Sequence, residues 1–372
     1  MRLTWGIVLE VSGAREGLQR LEVAPDGGRP GVALNYTALV GECSPGDTVL
    51  LNTTAVDLGL GTGGTHFVVS RVAAGGACEG VALDDDSGGH VMKLRYTPLQ
   101  RDVLAVESQE SPHHAVLASA QDLGGMPVVC CGLHSQVPVV AAAIKERAGT
   151  ARVAYCMTDE AALPIALSDL VPACADAGLI DATVTCGQAF GGDYEAVTLH
   201  SALLAARYVA RAQIAIVAIG PGVVGTGSNL GHGGIAQGEA VNAAAAVGGR
   251  PVAVLRMSFA DARERHRGVS HHSITSLARI ALAQATVAVP VLPPEQAAVV
   301  DAGLEQAGVW ARHIRLDVPA GPPLPDTRRV PLKSMGRTPA DDPAFFVAAA
   351  AGGYAAASML EPLAAPRRGR RA

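Results

Sequence analysis

The first hundred residues consist of short apolar, β-branched runs separated by turns. Gly, Pro and Asp mark these turns, as in Pro25-Asp26-Gly27-Gly28, and no helical period runs through them. Many short strands at close spacing are typical of a small antiparallel β barrel or sandwich, which we predict for residues 1–104. The predicted strands cover residues 4–11, 18–23, 32–40, 47–52, 66–72 and 91–97.

From about residue 105 onward, apolar runs alternate with stretches of helical periodicity. The early runs are almost continuously apolar, as expected for a parallel sheet that helices cover on both faces. We therefore predict an α/β domain, a doubly wound, mostly parallel Rossmann-like sheet over residues 105–318. The predicted strand–helix pairs are 126–131 with 137–147, 152–157 with 163–177, 182–186 with 194–210, 213–219 with 234–247, and 251–257 with 270–285, followed by strands 287–292 and 313–318.

Three further segments carry a local signal. Residues 319–364 begin as a Pro-rich extended segment and end in a helix, 343–359, whose Phe345 and Phe346 predict that it packs back on the body. Residues 365–372 are rich in Arg without apolar partners, so we predict a disordered tail. The run 84–89 predicts a solvated hairpin turn.

Composition and charge narrow the class of protein. The chain of 372 residues is 49% hydrophobic and 17% charged, which excludes disorder over its whole length. Its apolar runs are too short to cross a membrane. Glu10 and Arg15 interrupt the apolar stretch that a signal peptide needs. The net charge of −5 argues against nucleic-acid binding. Seven cysteines without C-x-x-C spacing fit a reducing cytoplasm. We predict a cytoplasmic protein with no nucleic-acid or membrane partner, and a homodimer is compatible with the apolar composition.

Arginine replaces lysine almost throughout. Of 29 basic residues only Lys93, Lys145 and Lys333 are lysines. A biased nucleotide composition of the coding sequence explains this preference for arginine. A retained lysine is informative because the two side chains are not interchangeable at a tight position. Lys145 lies late in a predicted helix, where a positive charge is favourable, so Lys93 and Lys333 stay as candidate functional residues.

The loop after the fourth α/β strand is rich in glycine. It begins with G-x-G-x-x-G, a pattern whose backbone N–H groups approach phosphates, and glycines continue as far as residue 234. No acidic residue follows at the spacing of a dinucleotide site, and the Walker ending is missing, so no cofactor is identified. The loop predicts binding of a phosphorylated or otherwise anionic small molecule; a surface lid or an interface loop is the alternative. The candidate ligand-binding residues are Gly220, Gly222, Gly225, Thr226, Gly227 and Ser228.

A basic, histidine-rich segment, residues 263–272, follows the fifth strand. Its arginine forks suit phosphate or carboxylate. Ser258 with Asp261 is typical of a capping box, so a short helix over 259–267 would place Arg263 and Arg267 on one face. We predict that Arg263 or Arg267 neutralises the charge of the ligand and that His232 or His272 transfers a proton. The histidine spacing matches no helical metal-ligand pair, so no metal is predicted.

Three other features are candidates on weaker grounds. Asp193 could serve as an acid–base group, although it would also cap a helix. Cys186 could be a nucleophile, although a buried, inert thiol has the same sequence signature. The second Gly-rich stretch, residues 59–66, either closes over the α/β site or bends a barrel.

Four strings together are similar to one bacterial family. They are Gly61-Thr62-Gly63-Gly64-Thr65-His66-Phe67, Gly187-Gln188-Ala189-Phe190-Gly191-Gly192-Asp193, Gly220-Pro221-Gly222-Val223-Val224-Gly225-Thr226-Gly227 and Lys333-Ser334-Met335-Gly336-Arg337. On these residues the chain resembles the family catalogued as domain of unknown function 3866, over nearly its whole length. The resemblance implies a widespread bacterial protein and supplies no activity, ligand or catalytic residue.

The sequence therefore supports two hypotheses. The first is a cytoplasmic α/β enzyme of unknown reaction that binds an anionic small molecule between residues 220–234 and 263–272. The second is a non-catalytic ligand sensor or scaffold whose β domain binds a partner.

Overall fold

The computed structural model describes residues 1–59, 64–72, 88–320 and 324–360. The chain divides into two compact units, Met1–Val103 and Leu104–Ala372. Most of the predicted turn at 84–89, residues 60–63 of the second Gly-rich stretch, and the whole tail 365–372 lie outside the described residues. Among the helices described, none has the length and apolar character needed to cross a bilayer.

The first unit contains a closed five-stranded barrel, which confirms the predicted small β domain. The strands follow the order β1-β2-β3-β5-β4, and every pair is antiparallel except β3 with β5. Alternating side chains such as Val8, Leu21, Val49 and Leu51 fill the interior, as the two-residue period of a strand requires. The elements of this unit are β1 (Leu3–Arg15), β2 (Leu18–Pro25), β3 (Gly31–Tyr36), α1 (Thr37–Val40), β4 (Thr48–Asn52), α2 (Thr54–Asp57), β5 (Thr65–Val72), β6 (Val91–Lys93) and β7 (Arg101–Val103).

The second unit is built on an eight-stranded sheet in which every pairing is parallel, confirming the predicted Rossmann-like α/β class. The strand order is β11-β10-β9-β12-β8-β13-β16-β17, with a separate two-stranded ribbon, β14-β15. The strands are β8 (Pro127–Cys130), β9 (Val153–Thr158), β10 (Ala182–Thr185), β11 (Tyr194–Glu195), β12 (Ile214–Ile219), β13 (Arg250–Val254), β14 (Met257–Ser258), β15 (Gly268–Val269), β16 (Thr286–Pro290) and β17 (Ile314–Val318).

Helices cover both faces of this sheet. One core joins α4, α5 and α10 to the sheet, and the other joins α3, α6, α7 and α9 to it. The helices are α3 (His114–Ser119), α4 (Val137–Arg147), α5 (Leu170–Asp176), α6 (Leu199–Tyr208), α7 (Ala236–Ala246), α8 (His271–Thr275), α9 (Pro294–Gln306) and α10 (Pro343–Ser358).

Helix α10 approaches its neighbours closely at two glycines. Gly353 lies against the Val140 carbonyl of α4, and Gly352 lies against the Val254 side chain of β13. Any Cβ at these two positions would collide with those atoms. The glycines therefore allow a helix of small residues to lie directly on α4 and the sheet.

Three local predictions are wrong. Residues 259–267 form no α-helix, only a 3-10 turn at Glu264–His266: the Ser258 hydroxyl accepts from the Asp261 backbone as a cap would, but no helix follows because Met257 pairs with Val269 in the ribbon. The predicted helix 194–210 begins as the edge strand β11. The predicted helix 270–285 is α8 followed by a π-helical turn, Ser276–Ile280. Helix α9 has no counterpart among the predicted elements.

Candidate functional site

The loops that follow β12 and β13 meet at the carboxyl edge of the sheet, although β8 lies between their strands. Two buried glutamines satisfy the backbone beneath them. Gln237 Nε2 donates to the carbonyls of Cys130 and Val254, at 2.9 and 2.6 Å, and Gln136 Nε2 donates to the Leu255 carbonyl at 3.2 Å. The two loops touch each other over the end of β8, where His232 stacks on His272. Carboxyl edges of this kind are where open α/β sheets bind ligands.

Four histidines form a cluster where these loops meet. His232, at the end of the Gly-rich loop, stacks on His272 with ring centroids 3.9 Å apart. His271 lies edge-on to both rings, at 5.2 and 4.5 Å, and His266 lies 5.0 and 5.1 Å from His271 and His272. The structure thus brings together the two predicted proton-transfer residues, His232 and His272.

Arg256 lies beneath this cluster and was not among the predicted site residues. Only 5% exposed, it follows β13 and donates from Nη1 to Nδ1 of His272 at 2.9 Å. Within the described part of the chain, no carboxylate lies within ion-pair distance of Arg256. Burial, followed by the nearby positive charge of Arg263, lowers its pKa to about 10. A buried cation without a carboxylate partner is costly, which makes this residue the strongest signal in the site.

The other arginines here are differently engaged. Arg263 forms a fork on Asp261, with Nε to Oδ1 at 2.9 Å and Nη2 to Oδ2 at 2.8 Å. Arg337 bridges two aspartates, with Nη2 donating to Asp261 Oδ2 at 3.2 Å and Nε donating to Asp342 Oδ2 at 3.1 Å. The hydrogen bonds from Arg263 hold the pKa of Asp261 well below its usual range. Arg265 and Arg267 are exposed. The positive charges of Arg263, Arg265 and Arg337 bear on Arg256, and the negative charge of Asp261 opposes them.

The Pro-rich segment contributes to the same edge through a tight turn. Ser334 and Arg337 exchange two backbone hydrogen bonds around Met335 and Gly336, both with positive φ. The Ser334 hydroxyl lies 2.9 Å from that of Ser135, after β8, while Ser258 donates to Asp342 at 2.6 Å. The segment Lys333-Ser334-Met335-Gly336-Arg337 is therefore hydrogen-bonded to the loop after β8 through Ser334 and to the loop after β13 through Arg337. Lys333 itself is exposed.

The Gly-rich loop is a hairpin that is hydrogen-bonded within itself. Gly225 bridges to His232, and Thr226 Oγ1 donates to the Gly231 carbonyl at 2.9 Å. The Ser228 hydroxyl lies 2.9 Å from Thr226 Oγ1 and accepts from the Gly231 backbone at 3.1 Å. The two predicted hydroxyl donors are thus engaged inside the loop. Gly222 and Gly227 adopt φ of 88° and 79°, a left-handed conformation that favours glycine.

All four histidines are held in their neutral form. Burial, with Arg256 as the next cause, lowers the pKa of His272 to about 2 and that of His266 to about 3. Burial also lowers the pKa values of His232 and His271. His232 is 6% exposed, and within the described residues its ring nitrogens make no hydrogen bond of good geometry, although the Asn229 backbone lies near enough to oppose the lowering of its pKa. The cluster therefore offers neutral imidazoles at pH 7.

Three of these rings offer nitrogens to a metal. One nitrogen each from His232, His271 and His272 lies within 4.8 Å of the others. However, a metal lies in the plane of a ligating imidazole, and the planes of His232 and His272 are parallel to within 5° at 3.9 Å, so one ion cannot lie in both. Arg256 also occupies Nδ1 of His272. In this arrangement His271 and one stacked ring are the available ligands, fewer than a zinc site uses, and the absence of a metal stays a prediction.

The remaining predicted residues lie elsewhere. Asp193 accepts from the backbone and hydroxyl of Thr183, at 2.8 and 2.9 Å, and so fastens β10 to the following loop. Cys186 is buried at the end of β10, and its thiol lies 3.6 Å from the Met157 carbonyl. Lys93 is fully buried at the end of β6, in the first unit. The described part of the second Gly-rich stretch leads into β5.

A buried serine–histidine pair beside α5 has a structural role. His134 lies 2.6 Å from Ser168 Oγ and 3.0 Å from the Tyr155 hydroxyl, while Tyr155 donates to the Ile219 carbonyl at 3.2 Å. The Ser168 oxygen accepts the backbone N–H groups of Leu170 and Val171 at the start of α5, which makes it a helix cap. His134, Ser168 and Tyr155 are all hydrogen-bonded, and together they connect β9 and β12 to the start of α5.

The fold and this edge define the class of protein. It is a Rossmann-like α/β protein with a preceding β barrel and a cluster of four histidines with a buried arginine, Arg256, where the loops after β12 and β13 meet. The chain matches the family described as Protein of unknown function (DUF3866) over residues 32–353 and belongs to that family. It matches no curated protein and no solved structure.

Proposed function

We propose that the site between residues 220–234 and 256–272 binds an anionic small molecule through a phosphate or carboxylate group. The observation that carries the proposal is Arg256, a buried guanidinium whose one side-chain partner among the described residues is His272. A guanidinium has five N–H donors, so most of its capacity remains for a ligand. Pairing with an oxyanion would compensate a charge that the described residues leave without a carboxylate.

The surrounding residues favour an anion over a cation. Arg263, Arg265 and Arg337 add positive charge around Arg256, and of the nearby carboxylates Asp261 opposes it. The Gly-rich loop supplies backbone N–H groups at the same edge, with Gly222 and Gly227 in conformations that let the backbone approach a ligand closely. Arg263 is held by Asp261 and supports the site through its charge, whereas Arg256 contacts the ligand.

Titration calorimetry and thermal shift test the proposal. Inorganic phosphate, nucleotides, sugar phosphates and acyl-coenzyme A are the probes, and a ligand at 100 times its Kd stabilises the fold by about 2.7 kcal/mol. Arg256→Met should abolish the shift, whereas Arg279→Met, an exposed arginine on the π-helical turn, should preserve it. If no probe raises the melting temperature of the wild-type protein, or if both variants respond like the wild type, the proposal is wrong.

The same geometry serves an enzyme or a ligand sensor. In an enzyme, His232 transfers the proton, because its ring nitrogens make no hydrogen bond of good geometry with the described residues. His232→Gln should then abolish turnover of a bound ligand while binding remains. A sensor binds with the same dependence on Arg256 and consumes nothing, so product analysis of the bound compound separates the two classes.

A further inference from the structure

The hydrogen bond between Arg256 and His272 fixes the position of a proton. A guanidinium only donates hydrogen bonds, so Nδ1 of His272 must accept at their 2.9 Å contact. A neutral imidazole carries one proton, which is then on Nε2. Burial and the charge of Arg256 keep the ring neutral, because they lower its pKa to about 2.

The ring of His272 is also fixed in orientation. His232 stacks on it with ring planes 5° apart, and a Cβ on Gly234 would lie 3.0 Å from its Nδ1. Nε2 lies on the side of the Gly-rich loop, where a Cβ on Gly225 would be 3.8 Å from it. In the part of the chain that the structure describes, no group accepts a hydrogen bond from this Nε2.

We infer that Arg256 fixes His272 as the Nε2–H tautomer, so that His272 donates a hydrogen bond to the ligand beside Gly225 and is not a base. This inference rests on the proposed anion site and specifies its ligand. Arg256, His272 Nε2 and the loop N–H groups are all donors, so the group that they meet is an acceptor-only oxyanion, fully deprotonated on the oxygens that face them. Proton transfer, where it occurs, then falls to His232, contrary to a role for His272 as the acceptor.

Nitrogen NMR measures the tautomer directly. In protein labelled with ¹⁵N histidine, long-range ¹H–¹⁵N correlations distinguish a protonated Nε2 from a protonated Nδ1, and the His272→Gln variant identifies the His272 signals by their loss. At pH 7 we expect Nε2–H with an unprotonated Nδ1, and in Arg256→Met we expect a mixture of tautomers. An Nδ1–H ring in the wild type, or an unchanged pattern in Arg256→Met, would overturn the inference.

A matched pair of substitutions tests the donor. The amide nitrogen of Gln lies near the position of Nε2, and that of Asn lies near Nδ1, so His272→Gln keeps the donor and His272→Asn loses it. With sulfate and inorganic phosphate as probes, we expect His272→Gln to bind within a few-fold of the wild type and His272→Asn about 10- to 100-fold more weakly, the ratio for one hydrogen bond to a charged group. Equal binding by both variants, or weaker binding by His272→Gln, contradicts the inference.

The two proposals fail separately. If the wild type binds neither anion but shows the Nε2–H ring, the anion site is wrong and the tautomer assignment stands. If it binds an anion while its ring carries the proton on Nδ1, the site stands and the role of His272 as donor is wrong. Comparing sulfate and phosphate with acetate and citrate then shows which oxyanion the site prefers.

Discussion

His232 stacks face to face on His272, with ring centroids 3.9 Å apart and planes 5° apart. This contact joins the Gly-rich loop to the segment after β13, and both rings pack on Gly234. The site therefore depends on small residues beneath the rings as much as on the charged groups around them.

Gly234→Ala should disturb this stack. The added Cβ would lie 3.0 Å from Nδ1 of both His232 and His272, which are buried and cannot withdraw freely. We expect a loss of about 1–3 kcal/mol in the free energy of unfolding, the usual cost of overpacking. Gly225→Ala is the control, since its Cβ would make an ordinary contact at 3.8 Å with His272. Urea unfolding of both variants checks the prediction, and equal losses would contradict it.

Gly353→Ala should destabilise the packing of α10 on α4. Its Cβ would collide with the Val140 carbonyl, a backbone atom that cannot rotate away. We expect a loss of about 1–3 kcal/mol or more. Gly303→Ala, in α9, meets no atom within 4 Å and should instead stabilise the protein by about 0.5–1 kcal/mol. Thermal unfolding compares the two alanines, and a loss of stability in both would show that close packing is not the cause.

Stability should fall on acidification through His134. Burial lowers the pKa of this histidine to about 4 in the folded state, whereas the unfolded chain titrates near 6.5. The unfolded state therefore binds more protons between these values, so the contribution is complete above about pH 6.5 and is lost as the pH falls to about 4. The loss amounts to roughly 3 kcal/mol.

The control for this pH effect is His134→Gln. The variant is less stable at neutral pH, because Ser168 and Tyr155 lose a partner. Its stability should nevertheless depend less steeply on pH between 4 and 6.5 than that of the wild type. Parallel curves from denaturant titrations at several pH values would exclude His134 as the titrating group.

Arg337→Met should loosen the turn that holds the Pro-rich segment to the sheet edge. The substitution removes the cation shared by Asp261 and Asp342, which are both buried. Because Arg337 itself is partly exposed, we expect a moderate cost of about 1–3 kcal/mol. Adding Asp342→Asn should recover part of the loss, since one buried charge is then removed. A double-mutant cycle measures this coupling, and strictly additive losses would argue against it.

The alternation of apolar runs and helical periods was enough to predict the sheet. The run 213–219 became β12 within one residue, and the helix 137–147 matched α4 at both ends. Helix α9 was missed because only Val300 and Leu304 of its side chains are buried, which leaves a weak apolar stripe. The helix predicted over 259–267 failed because strand pairing across the β14–β15 ribbon overrode a local capping signal.

The site was only partly predictable. Glycine and histidine composition indicated both loops, but sequence does not contain the strand order that brings them together over β8. Arg256 was missed because it lies in the apolar run 251–257, which was read as a strand. A single charged residue within an apolar run could have indicated a functional residue, because a buried charge needs a partner.

The position of α10 in the chain has a consequence for biosynthesis. All eight strands of the sheet precede this helix, yet it covers the centre of one face, with Phe346 and a row of alanines buried against α4, β13 and β16. A nascent chain that has emerged only as far as residue 342 therefore holds every strand but presents a large apolar surface to the cell. Folding of this unit must wait for α10, and ribosome stalling before residue 343 would yield a chain dependent on chaperones.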